Sequence, residues 1–166
     1  MKAKLLILFL LISLFAVGVV AADGHNRNFV AHLSGDNEVP PVDTRAQGQA
    51  KFQLSKDGNE LHFKLIAANI ENILQAHIHC GAAGVNGPVV VFLYPEGPPP
   101  VLIPGRFSGV LAEGTITDAF LAPGQAACPD GVTDFDDLIA KMRSGEAYVN
   151  VHTSAFPGGE IRGQIR

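Results

Sequence analysis

Ala50-Lys51-Phe52-Gln53-Leu54, then Asp57-Gly58, then Leu61-His62-Phe63-Lys64-Leu65 is the stretch that decides the fold. Apolar and polar residues alternate in both arms, the period of a strand with one buried face. Asp-Gly is among the strongest tight-turn signals. The spacing predicts a β-hairpin with Ala50, Phe52, Leu54, Leu61, Phe63 and Leu65 inward, and His62 and Lys64 outward.

The same grammar extends in both directions. Downstream, Ile73 to His79 sets Leu74, Ala76 and Ile78 on one face and Gln75, His77 and His79 on the other. Asn86-Gly87 turns the chain into the apolar run Val89 to Tyr94. Pro95 to Pro104 holds five prolines and reads as an irregular connection. Arg106 to Thr117 reads as one or two strands, with Gly109 and Gly114 as bulge markers. Near the end, Val149 and Val151 face inward while Tyr148, Asn150 and His152 face the other way. Pro157-Gly158-Gly159 then turns into Ile161, Gly163 and Ile165. Upstream, a strand is expected over Phe29 to Leu33.

One segment, about 133–144, is helical. Thr133 reads as its N-cap, with Asp134, Asp136 and Asp137 in the first turn, where the helix dipole favours anions. Phe135, Leu138, Ile139 and Met142 form one apolar face, and Gly145 supplies the stop. About eight short strands and one inserted helix predict an all-β, two-sheet Greek-key sandwich.

Residues 1–22 read as a secretory signal: Lys2 and Lys4, an apolar run from Leu5 to Val20, then Ala21-Ala22 before polar Asp23. The competing reading is an uncleaved membrane anchor. No cysteine follows the apolar run, which argues against a lipid-modified terminus. Residues 23–28 then form a flexible N-terminus, and 29–166 a single domain. Losing Lys2 and Lys4 leaves ten basic residues against 16 acidic ones, a net charge of about −6. That sign argues against nucleic-acid binding, which needs clustered Lys and Arg. Export leaves Cys80 and Cys128 as a disulfide pair, worth about 4 kcal/mol in the loop-entropy model. The alternative makes Cys80, beside His79, a metal ligand.

The candidate chemistry centres on His77, His79 and His152. Residues two apart on a strand share a face, roughly 6.5–7 Å apart, so His77 and His79 can converge on one ion. His152 has the matching outward phase on a late strand. If the two strands are neighbours, a three-histidine site forms on the outside of the sandwich, suited to copper or zinc. The plainer reading is three polar residues on a solvated face, bonded to loop backbone. His62 and His32 read as solvated, and His25 as part of the flexible N-terminus. No GxSxG elbow, phosphate loop or dinucleotide fingerprint occurs. Cys80 near two histidines imitates a thiol–imidazole nucleophile, but the disulfide is simpler. Glu38, Glu160 and the helix aspartates show no convergent pairing. The glycine-rich loop Gly81 to Pro88 lacks a following helix, so it reads as backbone with positive φ angles that leaves access to His79.

Three motifs in order carry a family resemblance. Leu33-Ser34-Gly35-Asp36-Asn37-Glu38-Val39-Pro40-Pro41 opens it. Gln75-Ala76-His77-Ile78-His79-Cys80-Gly81, continued by Gly84 to Val90, is its centre. Ala147 to Thr153 with Pro157 to Ile165 closes it. Together they resemble the CHRD (chordin-type) domain family over about Phe29 to Arg166. The resemblance implies an extracellular or cell-surface module with an immunoglobulin-like β fold and no general catalytic assignment. Growth-factor binding is not carried over, because the cysteine-rich modules that accompany the domain in chordin are missing here. The histidine pattern is also similar to the copper half of copper/zinc superoxide dismutases. That likeness would make His77, His79 and His152 copper ligands, but the loop from Gly81 to Pro88 has no histidine to build the zinc site. The expected function is therefore a secreted, non-enzymatic binding or structural module with an unidentified extracellular protein or surface ligand. The alternative is a copper- or zinc-binding protein with superoxide dismutase-like redox activity. A membrane partner arises only if the leader stays uncleaved.

Overall fold

A computed structural model describes residues 26–122, 128 and 131–166. The leader expected over residues 1–22, and His25, lie outside the described residues.

The hairpin forms as read. β1 (Asn28–Ser34) pairs antiparallel with β2 (Gln47–Leu54), and β2 pairs with β3 (Leu61–Cys80) in the register Leu54↔Leu61 and Ala50↔Leu65. Ala50, Phe52, Leu54, Leu61 and Leu65 are buried, whereas Lys51, Gln53, His62 and Lys64 are exposed. The two runs that the sequence separates, Leu61 to Leu65 and Ile73 to His79, belong to one long bent strand. Asn69 and Asn72 take left-handed φ values of 55° and 53°, and the pairing register breaks beside each. Asparagine tolerates that conformation better than most residues, so the strand bends without ending.

The bend lets β3 serve two sets of neighbours. Its first half lies between β2 and β5 (Ile103–Ile116); its second half lies between β4 (Val89–Tyr94) and β6 (Ala147–Thr153). β6 pairs with β7 (Ile161–Gln164), and β7 returns to β1 through Ser34↔Arg162 and two backbone bonds between Val30 and Arg166. Strands β1, β2, β3, β6 and β7 therefore close a ring, with β4 and β5 attached to β3. The all-β class with an inserted helix stands. The expected immunoglobulin-like Greek-key sandwich of about eight strands is replaced by seven strands among the described residues, five of them in a closed barrel. The reason is physical: a strand bent at two bulges turns the corner between layers, and the β1–β7 pairing removes the edges a sandwich would leave open.

Phe29, Ala31, Leu33, Phe52, Leu65, Ile73, Ile78, Val149, Val151, Ile161 and Ile165 all belong to the buried core. Helix α1 (Phe135–Ser144) packs against β6 and buries Phe135, Leu138, Ile139 and Met142. Its N-cap is Asp134 rather than Thr133. The Asp134 carboxylate accepts from the Asp137 N–H at 3.0 Å, while Asp137 accepts from both the backbone N–H and hydroxyl of Thr133. This reciprocal cap shifts the start by one residue. Cys80 and Cys128 form a disulfide with Cα atoms 5.9 Å apart, so Cys80 is neither a thiolate ligand nor a nucleophile. No helix among the described residues is long and apolar enough to cross a membrane.

Candidate metal centre

The antiparallel register of β3 and β6 sets Gln75 opposite His152, His77 opposite Asn150, and His79 opposite Tyr148. Paired residues project from the same face, so three polar rows form side by side. β7 extends two rows with Arg162 opposite Asn150 and Gln164 opposite Tyr148, and β4 adds Phe92 opposite His77.

The structure brings His77, His79 and His152 together, but not on an outer, solvated face. They are 3%, 8% and 6% exposed. The glycine-rich loop folds over the face instead of leaving access to His79. Gly87 can lie this close because any side chain there would overlap the Cys80 carbonyl oxygen. Of the loop's glycines only Gly84 takes a positive φ; Gly87 is required for close approach, and a side chain at Gly81 would press on the Val85 carbonyl.

One ring nitrogen from each histidine lies within 4.8 Å of the other two. His77 Nδ1 and His152 Nε2 are 3.1 Å apart. Two nitrogens bound to one ion at about 2.0–2.1 Å would be separated by about 3.3 Å in a tetrahedral arrangement.

Two tautomers follow from the partners. His79 Nδ1 lies 2.9 Å from the Gly87 carbonyl oxygen, and His152 Nδ1 lies 2.9 Å from that of Pro157. A carbonyl only accepts, so each Nδ1 carries the proton and each Nε2 keeps a lone pair. A ring N–H donated to a backbone carbonyl is how metal-binding imidazoles are oriented. The buried Nε2 atoms of His77 and His79 have no hydrogen-bond partner. Burial pushes the His77 imidazolium down to about 3, with His152 and His79 adding to it. Burial likewise holds His79 at about 4 against the opposing bond to Gly87, and lowers His152. All three are neutral near pH 7, the form that ligates. Imidazole nitrogens suit zinc and copper.

Four surrounding residues escaped the sequence reading as site residues. Tyr148 stacks on His79, with centroids 4.9 Å apart and planes 7° from parallel. The Arg162 guanidinium carbon sits over the same Tyr148 ring, 3.4 Å from its centroid. Arg162 is 1% exposed and donates to Asn86 Oδ1 and to the Ala82 and Val85 carbonyls, which pins the loop over the histidines. Glu38 is buried nearby; burial raises its carboxyl chiefly, while Arg162 opposes the rise. Asn150 lies between Tyr148 and His152 on β6. The phase that Asn150 and Tyr148 share with His152 was the signal available in the sequence.

The remaining candidates lie elsewhere. His62 and His32 are exposed, with His62 Nδ1 2.9 Å from Thr115 Oγ1. Glu160 is buried, and its carboxylate accepts from the hydroxyls of Thr44 and Thr153, a structural pin.

The family model of the CHRD domain matches residues 29–165. No curated protein and no solved structure matches the chain.

Proposed function

This chain belongs to the CHRD domain family, and we propose that it is an extracytoplasmic, non-enzymatic binding module whose own ligand is copper or zinc held by His77, His79 and His152. One observation carries the metal: three buried, neutral imidazoles converge, and two of their Nε2 atoms have no hydrogen-bond partner. A buried polar atom without a partner costs about 1–3 kcal/mol, and an ion shared by the three rings removes that cost at His79 Nε2. The disulfide supports an oxidising compartment. The low exposure of all three rings supports a site shielded from solvent and substrate rather than one open for turnover.

Untagged protein incubated with copper or zinc and then desalted is expected to retain about one ion per chain by elemental analysis, as a single three-ligand site requires. His79→Ala is expected to lose it. Wild-type protein that retains neither metal would overturn the assignment. Superoxide turnover by the loaded protein is expected to stay at the free-ion background; robust turnover would overturn the non-enzymatic half.

A further inference from the structure

Among the described residues, four buried side-chain atoms have no hydrogen-bond partner: His77 Nε2, His79 Nε2, Asn150 Oδ1 and Glu38 Oε1. They belong to one cluster. Asn150 is paired with His77 across the β3–β6 ladder, and its amide faces His79. On its other side Asn150 meets Glu38. Both crowd Gly159, where an added methyl would sit 2.7 Å from Asn150 Nδ2 and collide with Glu38 Oε1. Asn150 is 3% exposed and Glu38 5%.

The donor and acceptor assignment of this cluster does not close on itself. His79 Nε2 is an acceptor, because Nδ1 carries the ring proton and donates its N–H to the Gly87 carbonyl. Asn150 Oδ1 is also an acceptor. Turning the amide over would offer its NH₂ to His79 but would set the amide oxygen against the Glu38 carboxylate. The Glu38 carboxylate thus draws the NH₂ toward its own side, without closing a hydrogen bond at Oε1, and leaves an oxygen lone pair beside a nitrogen lone pair. Two acceptors facing each other in a buried setting are stable with a cation, or a donor bound to one, between them.

We propose that Asn150 is the oxygen member of the histidine site, and that Glu38 is the positioning residue that aims the Asn150 amide oxygen at the bound ion or at a water on it. The site then presents three nitrogens and one oxygen, with a carboxylate behind the oxygen. This rests on the reading of His77, His79 and His152 as metal ligands.

The test uses Cu(II)-loaded protein, with affinity read by chelator competition and ligand geometry by electron paramagnetic resonance. Asn150→Ala is expected to weaken Cu(II) binding by about 10–100-fold, the usual consequence of losing a supporting partner, and to change the copper hyperfine splitting. Asn150→Asp keeps an oxygen toward the ion but sets a second one against Glu38, so it is made together with Glu38→Gln, and that double variant is expected to stay within about tenfold of wild type. Glu38→Gln offers Asn150 an NH₂ as well as an oxygen, releases the amide, and is expected to shift the spectrum in the same direction as Asn150→Ala. If Asn150→Ala does not fold, the near-isosteric Asp and Gln variants carry the test. Wild-type affinity and spectrum in both Asn150→Ala and Glu38→Gln would overturn this inference while leaving the three-histidine site standing. Absence of Cu(II) binding by wild-type protein would instead overturn the site itself.

Discussion

The two halves of β3 draw on similar residues and reach opposite surroundings. In the first half, His62 and Lys64 alternate with buried Leu61 and Leu65, and the polar side meets water. In the second half, His77 and His79 alternate with buried Ala76 and Ile78, yet they are buried as well. His62 has a threonine hydroxyl and solvent for partners. His77 and His79 have another histidine, a backbone carbonyl, an edge-on phenyl ring and a stacked phenol ring. A histidine becomes a metal-ligand candidate through what covers it, and here the cover is the Gly81–Pro88 loop, Tyr148 and Arg162.

That contrast can be broken from the covered end first. Replacing Cys80 and Cys128 together by serine unties the end of the covered half from a residue 48 positions away. The expected loss is about 4 kcal/mol of unfolding free energy, measured by urea denaturation. Arg162→Met keeps bulk over Tyr148 but strands the Ala82 and Val85 carbonyls and leaves the Glu38 carboxylate without its cation. It is expected to cost about 3 kcal/mol by the same measurement and to raise hydrogen exchange in the loop. Acid separates the two halves in a graded way. His77 and His79 hold folded values of about 3 and 4 against an ordinary 6.5, so the unfolded chain binds more protons between those limits. The metal-free protein is therefore expected to keep their full contribution above pH 6.5 and to lose it progressively as the pH falls toward 4, followed by thermal melts across that range. The smallest effect belongs to the open half: His62→Ala is expected to change stability by less than about 0.5 kcal/mol and to leave metal retention intact.

Much of this architecture was legible locally. The hairpin at Asp57-Gly58, the helix face of Phe135, Leu138, Ile139 and Met142, and the shared phase of His77 and His79 all follow from period and turn chemistry. What escaped the reading depends on residues far apart in the chain. Alternation shows that a polar face exists but not whether a loop will lie on it, so the histidines read as exposed. Arg162 drew no reading of its own because its partners, Ala82, Val85 and Asn86, are about eighty residues away. Ring closure rests on β1 meeting β7, the two ends of the domain, and no local pattern encodes that pairing. The runs ending at Leu65 and beginning at Ile73 read as separate strands, whereas Asn69 and Asn72 take left-handed φ values inside a continuous one.

The bend in β3 also has a kinetic consequence. The strand gathers its neighbours from both ends of the chain, so the contacts that finish the barrel are among the most distant in sequence, and such contacts form slowly. His77 and His152 stand 75 positions apart, and the arginine that locks the loop above them comes from the final strand. A chain that has ordered its early hairpin but has not yet docked β6 and β7 presents two neighbouring imidazoles and no third. On the proposed three-histidine reading, tight metal capture is deferred until the last strand is home, and a retained ion would be a record that folding has run to completion.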